Sequence, residues 1–339
     1  MRIEENVPLA PHTTFRLGGP ARHFARVKNL EELRQSLDYA RDQNLATLIL
    51  GGGSNLLIGD AGFDGLVIKI EITGVESLPA NTAGEGGLLV AGAGESWDAL
   101  VARAVKDGWW GLENLSGIPG TVGAAPVQNI GAYGAEVRDT LAWVEVLDRK
   151  SGEVVRLQNA ACGFGYRTSI FKRLPARYVV LRAAFALTKD GTPNASYKDL
   201  ADIARLNLDE IRQKVLEVRS QKFPDLSVEG TAGSFFLNPV VSGQKAAELL
   251  EKYPGLPTFA AEKGRKVSLA WLLDNVLHAK GMREGGARLY ERQPLVIVAG
   301  FGASARDVTT LKEKIKKEVQ EKLDITLEEE VRVVGVIHS

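Results

Sequence analysis

The sequence predicts an α+β protein of two domains, and three observations carry that expectation. Its 339 residues exceed the usual span of one domain. Apolar runs of strand length are interleaved with stretches of helical period, and a hairpin pattern gives mixed strands. After about Thr188 the texture changes: glycine clusters give way to a loop at 191–194 and a second block of strands and helices. The boundary is therefore expected near 190–215, dividing the chain as 1–200 and 201–339.

In chain order, residues 22–27 read as a strand. Leu30, Leu33 and Leu37 then recur at helical spacing behind an Asn29 cap. Short apolar strands at 47–50 and 66–70 enter and leave a glycine loop, and 88–91 forms another. A helix opens at Ser96 with Trp97, Leu100, Val101 and Val105 on one face and Gly108 as its stop. Residues 143–147 and 153–157 flank the turn 148–152 as a hairpin, and 178–187 is a further strand. In the second block Ile211, Val215 and Val218 line a helix over 208–219. Strand-like 234–236, helices near 242–253 and 268–277, and an apolar strand at 295–298 follow. Ser304 to Asp307 form a capping-box pattern before the seam Val308, Leu311, Ile315 and Val319, and 331–336 is the last strand.

Composition narrows the function classes. Hydrophobic residues make up 45% and charged residues 25%, enough for a packed core and unlike a disordered chain. The 42 Lys+Arg balance 42 Asp+Glu, so no whole-protein basic field draws the chain to nucleic acid or an anionic membrane. Cys162 is the sole cysteine, which excludes an intramolecular disulfide; it reads as structural filler. The four histidines lack ligand spacing, which argues against a protein-built metal site. The opening residues lack the apolar core of a signal peptide, and apolar runs such as 294–299 are too short to span a bilayer. A cytoplasmic, monomeric protein is the expectation.

Glycine is the outlier, at 36 residues, and it clusters in the first half at 51–53, from Gly84 to Gly94, at 117–134 and at 163–165. The common nucleotide fingerprints fail. Leu56 stands where Gly51-x-Gly53 would need a third glycine, Trp97 does the same after Gly92-x-Gly94, and no GxxxxGK[ST] loop exists. What remains is a strand, Gly51-Gly52-Gly53-Ser54-Asn55, and a second strand. Its backbone N–H groups can form an anion-binding nest, or the loop can be a glycine turn with no ligand. The run 117–134 is almost uncharged and built of small residues around Gln128 and Asn129. That suits close backbone packing against a flat ligand, or a buried structural loop.

Together these stretches resemble the UDP-N-acetylenolpyruvoylglucosamine reductase family. The resemblance runs, in order, through TTFRLGG at 13–19, GGGSNLL at 51–57, IPGTVGAAPVQNIGAYG at 118–134 and CGFGYRTSIFK at 162–172. It continues through AGSFFLNP at 232–239, KGM at 280–282 and LEEEVR at 327–332, so it covers nearly the whole chain. It implies an FAD-binding domain of the vanillyl-alcohol-oxidase type in two α+β lobes, divided near residue 70, followed by a smaller α+β substrate-binding domain whose last strand returns to the active site.

The resemblance further implies non-covalent FAD, since the glycine loop holds no histidine or cysteine, and NADPH as hydride donor. Leu50, Gly51, Gly52, Gly53, Ser54, Asn55 and Leu56 match the family's cofactor contacts in the first loop. Ile118, Pro119, Gly120, Gly123, Ala124, Gln128, Asn129, Gly131, Ala132 and Tyr133 match those in the second. Arg167, Ser234 and Glu330 occupy its catalytic positions. A guanidinium suits a carboxylate whose enolate must be stabilised, and a hydroxyl can protonate a strongly basic enolate carbon.

An ionised glutamate beside an enolate repels it, which asks for a protonated Glu330 or one acting through Arg167 or water. Strand alternation sets Glu328 and Glu330 on one face and Glu329 on the other. Tyr197 matches the mobile tyrosine of one subtype, and Lys222 and Asn238 match holders of the substrate diphosphate. Arg219 and Gln293 are further substrate candidates. Leu237 departs from the lysine usual in the family and removes a positive charge beside Asn238. Two other readings remain: a same-fold FAD oxidase or dehydrogenase acting on a hydroxy acid or alcohol, and a catalytically silent flavin-binding regulator.

Overall fold

A computed structural model describes residues 1–79 and 86–335; Gly84 and Val336 of the sequence reading lie outside the described residues. In chain order the strands are β1 Ile3–Pro8, β2 Pro20–Val27, β3 Thr47–Leu50, β4 Leu56–Ile58, β5 Phe63–Ile70, β6 Val75–Pro79 and β7 Gly87–Gly92. They continue as β8 Gly131–Ala132, β9 Ala135–Glu136, β10 Leu141–Asp148, β11 Val154–Gln158 and β12 Tyr178–Leu187. The later strands are β13 Val240–Val241, β14 Thr258–Ala260, β15 Arg265–Val267, β16 Arg283–Glu284, β17 Ala287–Tyr290, β18 Gln293–Ala299 and β19 Arg332–Val334. The helices are α1 Leu30–Asp42, α2 Trp97–Lys106, α3 Ile170–Arg173, α4 Leu208–Lys222, α5 Gly243–Lys252, α6 Leu269–Asn275 and α7 Ala305–Leu323.

The chain forms two compact units. The first gathers 1–6, 22–53 and 64–219; the second gathers 7–21, 54–63 and 220–339. By this measure the exchange falls after Arg219 rather than at 200. Helix α4 belongs with the first unit because Ile211, Val215 and Val218 bury against Leu200, Ile203 and Tyr133.

The first unit holds two larger sheets and the two-stranded β8-β9 pair. One large sheet has the order β1-β2-β5-β3, with β3 and β5 parallel, and the other is the antiparallel β11-β10-β12-β7-β6. The chain passes from one to the other after Ile70. Helix α1 starts where the Asn29 side chain accepts the Glu32 N–H at 2.9 Å. Helix α2 is capped by Ser96 and ends at Gly108, whose φ of 72° suits the position after a helix. Trp97, Leu100, Val101 and Val105 then face the core with Phe185, as their spacing predicts.

In the second unit β4 and β19 pair in parallel, so the last described strand returns beside the segment that follows the glycine loop. Helix α7 opens with the reciprocal Ser304–Asp307 capping box and buries Val308, Leu311, Ile315 and Val319. Residues 234–236, expected as a strand, form two single bridges instead, Ser234 to Val296 and Phe236 to Glu329. Gly233 at φ 80° and Pro239 flank them and break a regular ladder. Among the described residues no helix is long and apolar enough to cross a membrane, and no cluster of three His, Cys, Asp or Glu side chains offers a metal site.

Candidate active site

In the first unit the two glycine stretches press together. A Cβ on Gly52 would lie 2.6 Å from Gly120 Cα, and one on Gly51 2.6 Å from Thr121 Oγ1. Such contacts are closer than side chains tolerate, so these loops meet through bare backbone. Thr121 Oγ1 is buried and has no hydrogen-bond partner, a donor left for a group that enters this cradle. Lys69 of β5 donates its Nζ proton to the Gly51 carbonyl oxygen, which engages that oxygen within the protein. Burial holds the Lys69 pKa below its ordinary value, with Glu71 opposing that shift and Arg26 adding to it. These features fit a dinucleotide: backbone N–H groups, an unpartnered hydroxyl and an underlying cation suit a pyrophosphate.

The loop over 117–134 is itself held in unusual conformations. Asn129 and Tyr133 have φ of 49° and 51°, and Arg167 has 52°, three left-handed non-glycine residues within the assigned site. The Asn129 side chain is wholly buried. Its Nδ2 donates to Glu136 Oε2 at 2.8 Å and to Gly165 O at 3.2 Å, while Oδ1 accepts from Arg138 N at 3.0 Å. Asn129 therefore fixes the loop through its side chain. Leu50, 0% exposed, likewise gives its side chain to the core.

Gln128, Ile118, Pro119, Gly120, Ala124, Gly131 and Ala132 are half-buried along the same run, and Gly123 is buried. Arg167 Nη2 donates to Gly131 O at 2.6 Å, so the catalytic candidate is tied to the 117–134 loop. A Cβ on Gly131 would stand 3.0 Å from Arg167 Nη1 and 2.8 Å from Glu136 Cγ. Gly131→Ala is therefore expected to displace Arg167 and lower kcat per bound flavin about tenfold or more. Unchanged steady-state kinetics would contradict it.

Tyr133, 6% exposed, meets Tyr197 edge to face with ring centroids 5.4 Å apart. Burial pushes the Tyr133 phenol up to about 12, with the Arg219 charge and hydrogen bond pulling the other way. Burial also lowers the Arg219 pKa, opposed by Tyr133 and Asp98. Tyr197 itself is exposed. Cys162 is buried, and burial lifts its thiol to about 11, which fits filler better than a nucleophile.

In the second unit, Ser54, Asn55 and Leu56 are half-buried, and Asn55 reaches the end of the chain. Its Nδ2 donates to Glu330 O at 3.0 Å and its O accepts from Arg332 N at 3.1 Å. The segment carrying Ser234 lies between two others: Phe235 N donates to Leu295 O at 2.7 Å, and Glu330 N donates to Phe235 O at 2.8 Å. The backbones of Glu330 and of Ser234's neighbour thus touch. Glu329 turns to α7, where Lys312 and Lys316 donate to its Oε1 at 2.8 and 3.0 Å.

Burial alone would raise the Glu329 pKa, but the two lysines outweigh it and hold the carboxyl below the usual range. A folded-state pKa below the unfolded one stabilises the fold above the unfolded value of 4.5, and that stability disappears as pH falls through the folded pKa. Glu329→Gln should flatten the dependence of Tm on pH below about pH 5. An unaltered slope would refute the pairing.

Asn238 Oδ1 accepts the Leu269 N–H at 2.9 Å at the start of α6, so Nδ2 is the group it can offer an anion. Leu237 is half-buried and held through its backbone to Glu328 O. Gln293 opens β18, and Lys222 ends α4, three residues after Arg219. Sequence reasoning missed Lys69 and Thr121. The signal for Lys69 is a lone lysine inside the apolar strand expected at 66–70; Thr121 lay within the quoted motif without a reason of its own.

Comparison with known proteins agrees with these features. The family described as "FAD binding domain" matches residues 21–158, and "UDP-N-acetylenolpyruvoylglucosamine reductase, C-terminal domain" matches 224–334. The UDP-N-acetylenolpyruvoylglucosamine reductase of Ralstonia nicotianae is 42% identical over 98% of this chain and 99% of its own length. That of Chromobacterium violaceum is 40% identical over 97% and 98%. A crystal structure of the enzyme from Thermus caldophilus superposes with a TM-score of 0.70 at 28% identity, covering 99% of this chain and 100% of the other. The chain belongs to the UDP-N-acetylenolpyruvoylglucosamine reductase family.

Proposed function

We propose that the protein is the FAD-dependent reductase that converts UDP-N-acetylglucosamine enolpyruvate to UDP-N-acetylmuramate with NADPH, a step in peptidoglycan precursor synthesis. One observation carries the reading above all: identity of 42% to a named reductase extends over 98% of the chain, leaving no segment for a different substrate domain. When bound, FAD would supply the hydride chemistry that links NADPH to the enolpyruvyl β-carbon. The protein's own groups then manage charge and proton.

Arg167, anchored on Gly131, presents a guanidinium to the substrate carboxylate and stabilises the enolate that hydride addition leaves. Ser234 Oγ donates a proton to the α-carbon. Glu330, whose N–H bonds to Phe235 O, works beside that proton transfer. Glu330→Gln is expected to lower kcat at least about tenfold; full turnover would remove Glu330 from the mechanism. Tyr197, Arg219, Lys222, Asn238 and Gln293 hold the nucleotide sugar, and Gly51 to Leu56 with the 118–133 run hold the flavin. The enzyme works in the cytoplasm as a monomer, with no metal, nucleic acid or membrane partner.

The experiment follows the visible flavin spectrum without oxygen. NADPH should bleach it, and UDP-N-acetylglucosamine enolpyruvate should restore it. Bleaching without recovery would move the substrate elsewhere, and a protein that binds no flavin would favour the silent relative. Leu237→Lys restores the charge usual beside Asn238 and should lower the KM for the nucleotide sugar severalfold.

A further inference from the structure

We propose that Asp98 is a positioning residue: its carboxylate pins the first residue of the 117–134 loop onto helix α4 and so sets the place of Arg219. The proposal rests on the reading that this loop serves FAD and that Arg219 serves the nucleotide sugar.

Asp98 lies in the first turn of α2, half-buried, and meets two elements distant in sequence. Its Oδ1 accepts the Gly117 N–H at 2.5 Å. Its two oxygens also accept from Arg212 Nη1 and Nη2 at 2.7 and 2.8 Å, a fork-to-fork pair with a guanidinium whose side chain is 17% exposed. Burial acts to raise the Asp98 pKa, but Arg212, the Gly117 N–H and Arg219 outweigh it. The loop and α4 also meet directly. A Cβ on Gly117 would stand 2.7 Å from Leu216 Cδ2 and 3.1 Å from Arg219 Nε.

At the loop's other end Arg219 hydrogen-bonds Tyr133. Helix α4 therefore grips the loop at both ends, and the near grip passes through one carboxylate. Arg212 pairs with both of Asp98's oxygens, while Arg219 is the guanidinium of this helix set directly against the loop. A shift of Gly117 would move Leu216 and Arg219 with it.

Asp98→Asn preserves shape and the acceptor for Gly117 but removes the charge and half of the fork. The KM for the nucleotide sugar should rise about tenfold, with kcat per bound flavin within about twofold. The FAD dissociation constant, read by flavin fluorescence, should rise severalfold. Arg212→Lys keeps the charge without the fork and should move both in the same direction by less; it also serves if Asp98→Asn fails to fold. A role confined to stability would lower the amount of active protein and leave KM and the FAD constant unchanged, and that result overturns the proposal. Failure of the wild type to turn over the nucleotide sugar, with the FAD constant still raised in Asp98→Asn, would sink the substrate reading and keep Asp98 as the loop's anchor.

Discussion

The Ser234→Ala protein is expected to bleach with NADPH as the wild type does and then to regain its oxidised spectrum on substrate about 10²- to 10⁴-fold more slowly. The proposed proton donor acts only after hydride has reached the substrate, so flavin reduction by NADPH has no use for it. Position supports the assignment: Ser234 bridges Val296 on one side, and its neighbour Phe235 accepts the Glu330 N–H on the other. Replacing one hydroxyl by hydrogen leaves these backbone bonds intact, so the variant should fold. Stopped-flow absorbance separates the half-reactions, and equal loss of both would show that Ser234 shapes the site instead of donating a proton.

Gly52→Ala should lose FAD. The added Cβ would fall 2.6 Å from Gly120 Cα and 3.0 Å from Gly120 C, both backbone atoms that no rotamer change can move away. Separating the two loops costs about 1–3 kcal/mol, the range for overpacking, and weakens FAD about 5- to 150-fold. The added methyl leaves the side chains of the core around Trp97 and Phe185 in place, so far-ultraviolet circular dichroism should be unchanged while flavin is lost on gel filtration. Wild-type affinity for FAD in this variant would mean that the loops can part without harm.

Much of this was legible in the sequence because the relevant physics is local. Asn29, Ser96 and Ser304 announce helices through hydrogen bonds three residues long, and the apolar seam of α7 follows from a period of 3.6. The glycine loop and the 117–134 run were legible as motifs, since small residues and glycine are needed wherever backbones meet. The two-residue strands β8, β9, β13 and β16 were not, because two residues carry no period. The 234–236 segment is apolar enough for a strand, yet Gly233 and Pro239 reduce it to isolated bridges.

By itself the sequence determined the class of fold and the family, and it supplied the residue types that the proposed site uses. A guanidinium at 167, a hydroxyl at 234 and a carboxylate at 330 follow from ordered motifs. Only the tertiary structure decided which groups are engaged, because a hydrogen-bond partner brought up by packing leaves no local trace in the sequence. Folding gives Glu329 to the lysines of α7, engages the Asn129 side chain with Glu136, sets Lys69 on the Gly51 carbonyl and joins Asp98 to Arg212, 114 residues apart. Residue types come from the chain; their availability to a ligand depends on burial and on competing partners, which exist only once distant segments have packed.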